Sequence, residues 1–309
     1  MDFPPAWTKD TDIYAIRAAF SLLAAADTPS SHISEEDHLI TTRDGAKIMV
    51  RVYRLRSQSV GDDEGDGRPG MVMLHGGGFC VGGLESGARL SRFFAERIGG
   101  VAVNVEYRLA PEFPFPTAVY DAYDALEWVA DHTADLGIDP ARGLLVAGES
   151  AGADLALAAA YLWTEKGNTP RVTGVYSSVS SAASLQTVPR KYKSQFMSMD
   201  ECADAPVMSA EAADFIKSIY KPAPDSPLAY AVAVPNPSIM PKTYFQACGR
   251  DPFRDCTLIM EKVWRDAGVS TKIDVYPDMP HVFWVLGLQI EETVKHEKDS
   301  EEGLVWLLK

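Results

Sequence analysis

The chain has 309 residues, 46% hydrophobic and 23% charged, a composition that excludes a disordered, collagen-like or disulfide-scaffold protein. Its 43 acidic against 29 basic side chains leave a formal charge of −14, a surface that repels phosphate backbones and argues against nucleic-acid binding. Four cysteines (Cys80, Cys202, Cys248, Cys256) match no zinc spacing and read as buried thiols of a reducing compartment. The N-terminus, Met1 to Asp12, has no basic region followed by an apolar run, so it does not read as a secretory signal. The apolar stretch Ala18 to Ala26 is only about half a bilayer span. The expectation is a cytoplasmic protein without stable membrane insertion.

In chain order, Thr8 to Ala26 reads as a helix, with Ile13, Ile16, Ala19, Phe20 and Leu23 recurring at three and four. Asp27 to Ser34 is a polar loop. His38 to Thr42 and Lys47 to Arg54 read as strands of a hairpin turning at Asp44-Gly45. Ser57 to Pro69 is acidic and glycine-rich, a surface loop whose spacing does not fit an EF-hand.

Strands and helices then alternate. Met71 to Leu74, Val101 to Val105 and Leu144 to Ala147 read as strands, and Arg89 to Arg97, Pro116 to His132 and Ala151 to Trp163 as helices. This rhythm predicts a parallel sheet with helices on both faces. Ser184 to Pro227 interrupts it with an insertion above the C-terminal edge of the sheet, helical over Ala210 to Ile219. Thr243 to Ala247 and Lys272 to Tyr276 restore the strands around a helix at Leu258 to Ala267, and Glu291 to Leu308 reads as a terminal helix.

The sharpest local feature is Gly148-Glu149-Ser150-Ala151-Gly152, between an apolar strand and an alanine-rich helix. That context suits a nucleophile elbow, in which a serine is presented on a strained strand-to-helix turn. The competing reading is a tight turn with a helix-capping serine. His75-Gly76-Gly77-Gly78-Phe79 follows another strand, and its backbone N–H groups can point at an oxyanion. It lacks the Lys-Ser/Thr of a phosphate-binding loop. His75 reads as a structural residue that holds this loop.

A serine elbow needs a base and an orienter, in the chain order serine, acid, histidine. Only His281 and His296 follow Ser150. His296 falls on what reads as a solvated helical face, whereas His281 falls in a loop beyond a strand, so His281 is the expected base. Asp251 is the expected acid. Asp255 competes, but falls near a helix start where an acidic residue has a local role.

These residues together resemble the hormone-sensitive-lipase-like branch of the α/β-hydrolases. The matching pieces are His75 to Phe79, Glu106-Tyr107-Arg108-Leu109-Ala110-Pro111-Glu112, Gly148 to Gly152, Asp251-Pro252-Phe253-Arg254-Asp255 and His281. The fit runs from about residue 35 to the end. The chain departs from the branch at Glu149, where aspartate is usual, and at Val282, where glycine is usual. The serine-rich run Arg171 to Ser184 also lacks the usual proline-tryptophan character.

The resemblance implies a single α/β-hydrolase domain over residues 1–309, with a mostly parallel eight-stranded sheet. A helical cap would come from about 1–35 and 184–227. It implies carboxylic-ester hydrolysis by Ser150, His281 and Asp251, with the N–H groups of Gly77, Gly78 and Ala151 as oxyanion donors. His75, Gly76 and Glu149 would support those motifs. No cofactor or metal is implied. The partner is a small-molecule ester, and a homodimer through the sheet edge and terminal helix is common in the branch. Tyr192, Phe196, Met197, Met199 and Met208 would either line an apolar pocket or pack the cap on the core. Two alternatives stand beside this reading. One is a hydrolase, lactonase or acyl transferase dedicated to one secondary metabolite. The other is a small-molecule receptor on the same fold, although such receptors lose the histidine that is present here as His281.

Overall fold

The computed structural model describes residues 7–24, 31–56 and 67–309, and for 20–24 the backbone alone. Phe20, Leu23, the first half of the polar loop after Ala26 and most of the acidic loop from Ser57 therefore lie outside the described residues or side chains.

Helix α1 spans Ile13–Ala24. It starts later than the periodicity predicts because Asp12 Oδ1 accepts from the N–H groups of Tyr14 and Ala15 and caps the helix there. The hairpin is β1 (Ile33–Thr41) and β2 (Lys47–Leu55). Next come β3 (Gly70–Leu74), α2 (Leu84–Phe93) with a π-helical turn at Phe94–Ile98, and β4 (Val101–Glu106). They are followed by α3 (Thr117–Asp131), the single turn α4 (Thr133–Leu136), β5 (Leu144–Glu149) and α5 (Ala151–Glu165). The remaining elements are β6 (Gly174–Ser178), the short α6 (Ser198–Glu201), α7 (Ala210–Tyr220), β7 (Lys242–Arg250), α8 (Arg254–Asp266), β8 (Thr271–Pro280) and α9 (Glu291–Leu308).

The eight strands form one sheet in the order β1-β2-β4-β3-β5-β6-β7-β8. β2 pairs antiparallel with both β1 and β4, and every other pairing is parallel. Strand side chains alternate between faces. Val72, Leu74, Val146, Val175 and Phe245 therefore join one core, shared with Ala122 and Leu126 of α3, Leu155 and Ala159 of α5, and Trp264 of α8. Met71, Met73, Leu145, Tyr176 and Tyr244 join a second core, with Ala88 and Leu90 of α2 and Leu304 and Leu307 of α9. Among the described residues no helix is long and apolar enough to cross a membrane.

Strand β6 is an element the sequence reading passed over. Its Gly-Val-Tyr-Ser-Ser run looks polar. Inside the sheet, however, Ser178 Oγ donates to Gln246 Oε1 at 2.9 Å and Tyr176 OH donates to the same oxygen at 2.7 Å. The partner lies on β7, distant in sequence, and a buried hydroxyl so satisfied costs little. Three of the four cysteines are buried thiols as expected, and Cys202 is partly exposed.

Candidate active site

Parallel strands place their C-terminal ends at one edge, where loops carry function. Here the ends of β3, β5, β7 and β8 deliver the His75 loop, Ser150, Asp251 and His281. Ser150 bridges β5 and α5 at φ 54°, ψ −123°, and its side chain makes no helix-capping bond. The capping alternative therefore fails. Such backbone strain costs about 1–3 kcal/mol and persists only where surroundings enforce it. The enforcement is visible: Ser150 N–H donates to Ser178 O at 2.8 Å, and Ser150 O accepts from Ala153 N–H at 2.8 Å. At Gly152 a Cβ would lie 1.9 Å from Leu74 O, so only glycine lets α5 start this close to the end of β3.

His281 Nε2 lies 2.8 Å from Ser150 Oγ, and His281 Nδ1 lies 2.7 Å from Asp251 Oδ2. Both His281 and Asp251 are buried. Asp251 Oδ1 accepts from Phe253 N–H at 2.8 Å, and the Phe253 ring meets the imidazole edge-on at 5.6 Å. The three expected residues thus form one continuous hydrogen-bonded chain. Asp255 has other work. Its Oδ2 accepts from the N–H groups of Met197 and Ser198, and Arg254 pairs with its other oxygen. Burial opposes its charge, but these donors prevail and hold its carboxyl below the usual value.

The glycine run passes directly beside the elbow: a Cβ at Gly76 would lie 3.6 Å from Ser150 Cβ. Gly77 at φ 123° turns the chain where a side chain would strike Val81 O. His75 is buried, stacked on Tyr107 at 4.2 Å, with Nδ1 2.7 Å from Gly76 O. Burial holds its pKa down at about 4, so the ring is neutral and its Nδ1–H donates to that carbonyl. Tyr107, in the Glu106 to Glu112 run, donates to His75 O at 2.8 Å.

Arg17 ties α1 to the same loop. Its guanidinium reaches Cys80 O at 2.7 Å, Ala110 O at 2.6 Å and both oxygens of Glu112. From α7, Ile216 packs against Gly78, and Tyr220 stacks on Phe79 at 3.8 Å. Of the aromatic and methionine residues considered for a pocket, Phe196 and Met199 line a cavity of about 320 Å³ beside the elbow. Met208 packs into the core, Met197 is exposed, and Tyr192 bonds to Asp266.

One expectation is corrected. His296 does not sit on a solvated face. It is fully buried, stacked on Trp284 at 4.0 Å and flanked by Tyr276 and Phe283. Burial drives its pKa well below the usual value. His296, Ser300, Gly303, Leu304 and Leu307 form the inward stripe of α9, a spacing the charged residues between them obscure.

Two further residues went unnoticed in the sequence. Trp284, three residues after His281, donates to Glu149 Oε1 at 2.8 Å, and Arg89 reaches the same oxygen at 3.1 Å. Glu149 thus links the elbow to the histidine loop. Asp154, one helical turn after Ser150, is buried and lines the cavity.

Comparison with known proteins gives a consistent picture. A family model described as α/β hydrolase fold matches residues 71–285. The versiconal hemiacetal acetate esterase of Dothistroma septosporum is 30% identical, over 95% of this chain and 88% of its own. A carboxylesterase of Mycobacterium tuberculosis is 32% identical, over 90% of this chain and 84% of its own. The crystal structure of vibralactone cyclase superposes with a TM-score of 0.88 at 28% identity, covering 99% of this chain and 92% of that one.

Proposed function

The chain belongs to the α/β-hydrolase fold family, in its hormone-sensitive-lipase-like branch, and from that premise we propose that it hydrolyses carboxylic esters of small molecules through Ser150, His281 and Asp251. The observation that carries this reading is the unbroken Asp251–His281–Ser150 hydrogen-bond chain on a strained elbow. The relatives named as esterases support the reaction class.

Ser150 Oγ attacks the ester carbonyl carbon while its proton passes to His281 Nε2. The imidazolium keeps its Nδ1–H on Asp251, which fixes the tautomer and stabilises the cation. The N–H groups of Gly77, Gly78 and Ala151 receive the oxyanion, each worth about 3 kcal/mol in comparable sites. His281 then returns the proton to the departing alkoxide, releasing the alcohol. Water repeats the sequence on the acyl-enzyme, giving the acid and restoring Ser150. Glu149, Gly76 and His75 hold the two loops that this chemistry uses. The cap belongs to the same proposal, assigned to about 1–35 and 184–227. Its support is the Arg17 anchor and the packing of Ile216 and Tyr220 on the glycine loop.

The test is p-nitrophenol release from acetate, butyrate, octanoate and palmitate esters, with Ser150→Ala alongside. Turnover should peak at short chains and fall about 10⁵–10⁶-fold in the variant. Equal turnover by Ser150→Ala would sink the assignment. A narrower reading keeps the chemistry but dedicates it to one metabolite, by hydrolysis, lactone opening or acyl transfer. The likeness to an esterase of versiconal hemiacetal acetate favours it. It expects weak turnover of every p-nitrophenyl ester together with stoichiometric fluorophosphonate labelling of Ser150.

A further inference from the structure

The cavity beside the elbow has a chemically uneven wall. Phe79, Ile216, Tyr220, Tyr230 and Phe253 make most of it apolar. Three of its lining residues neighbour the Ser150 site: Phe79 follows the glycine run, Phe253 meets the His281 ring edge-on, and Asp154 lies one turn beyond Ser150. Asp154 is the one ionisable side chain in that wall that is both acidic and buried, at 6% exposure.

Its hydrogen bonds leave a gap. Asp154 Oδ1 accepts from Ser180 Oγ at 2.6 Å and from Ser181 N–H at 2.9 Å, and Oδ2 accepts from Ser181 Oγ at 2.5 Å. A carboxylate has about four acceptor sites. Three are filled, all by neutral donors, and the open one belongs to Oδ2. Among the described residues no lysine or arginine forms an ion pair with Asp154. The exposed wall residues Asp200 and Asp214 add two negative charges against one positive charge from Lys217. A buried carboxylate without a counter-ion is costly, and a bound cation relieves that cost. The stacked pair Phe79 and Tyr220 offers aromatic surface suited to the same cation.

We propose that Asp154 is a specificity-determining residue, and that this cavity takes an ester whose non-reacting part carries a protonated amine. This rests on the ester-hydrolase reading above. A hydroxyl in the same place fills the open acceptor site without supplying the charge, so it ranks between amine and alkyl.

The experiment compares kcat/KM within matched pairs. On the acyl side, p-nitrophenyl 6-aminohexanoate is set against p-nitrophenyl hexanoate. On the alcohol side, 6-aminohexyl butyrate is set against hexyl butyrate. At pH 7.5 the wild type should favour the amine at least tenfold in one series, and Asp154→Asn should reduce that ratio at least tenfold. A wild-type preference for alkyl in both series would overturn the proposal. So would an unchanged ratio in Asp154→Asn, which would leave Asp154 as a brace for the Ser180–Ser181 turn.

Should the variant fail to fold, the wild type alone decides. Burial raises the Asp154 pKa to about 6, against the lowering effect of the serine donors. The amine-to-alkyl ratio must therefore rise between pH 5 and pH 7.5, and a flat ratio refutes the proposal. Tyr107, Tyr220, Tyr230 and Cys256 also face Asp154, and burial pushes all four upward, so they stay neutral in this range. His281 faces Asp154 too and acts to lower its pKa; only its part in the acyl-transfer steps, common to both substrates, cancels in the ratio. Wild-type turnover of p-nitrophenyl acetate, whose acyl group carries no amine, reports separately on the ester-hydrolase reading. Its presence with a flat ratio sinks only the amine preference, and its absence together with no fluorophosphonate labelling of Ser150 sinks both.

Discussion

At one edge of the sheet, β1 and β2 pair residue for residue from Ile33–Leu55 to Thr41–Lys47, and surface ion pairs such as Arg54–Glu36 decorate them. At the C-terminal ends of the parallel strands, Phe79, Ser150, Val179 and Val282 all adopt positive φ. Two of these, Val179 at φ 47° and Val282 at φ 48°, are β-branched, and β-branched residues rarely adopt this conformation. The hairpin is built from locally favourable choices and would tolerate change. The site is built from locally unfavourable ones, and only the surrounding hydrogen bonds and packing hold them. Strain of this kind marks positions where geometry serves chemistry rather than stability.

The sharpest way to break the comparison is Asp251→Asn. Geometry is kept, but the His281 tautomer is no longer fixed, and kcat for ester turnover should fall about 10⁴-fold with little change in unfolding temperature. A loss below tenfold would remove Asp251 from its role.

Next in size is an effect on stability beneath the histidine loop. His296 and His75 are both held neutral by burial, with folded pKa values below the unfolded value of about 6.5. Their contribution is complete above pH 6.5. It is lost as pH falls toward the folded value, about 4 for His75, because the unfolded chain binds the proton first. For His75 the loss between pH 7 and pH 5 should be about 2 kcal/mol, from 1.4 kcal/mol per unit. His296→Phe keeps the stacking on Trp284 and should shrink the pH 7 to pH 5 difference in urea unfolding. An unchanged slope would show that His296 is protonated in the fold.

Smaller still is the gain from Ser150→Gly. Glycine adopts the elbow conformation freely, so the inactive variant should be more stable by about 1 kcal/mol. Ser150→Ala keeps the strain and should show no such gain in the same melt. The smallest effect belongs to the other edge. Arg54→Ala removes a half-exposed pair and should change stability by less than about 0.5 kcal/mol, with ester turnover unaltered. A larger effect there would blur the contrast between the two regions.

Much of this contrast was legible in the sequence. The turn at Asp44-Gly45 is a local signal, and α9 begins and ends where its pattern predicts. Ser150, Asp251 and His281, singled out by motif, chain order and strand-end position, are brought within hydrogen-bond distance of one another. The misses share one cause, which is partners distant in the chain. Ser178 on β6 is satisfied by Gln246, Asp154 accepts from Ser180 and Ser181, and His296 is buried by Trp284 and Tyr276. A polar residue reads as exposed until its partner is known, and local periodicity cannot supply the partner.

The joint between the elbow and the glycine loop has almost no clearance, since a Cβ at Gly152 would meet Leu74 O at 1.9 Å and His75 O at 2.6 Å. In mechanical language these are two parts of one casting rather than two parts bolted together. Thermal motion therefore moves the Ser150 turn and the glycine loop as a unit. It also sets where substrate scope can evolve. Substitutions near the joint trade away both functions at once, so a library seeking new esters has its useful freedom in α7 and the Ser184 to Pro227 segment.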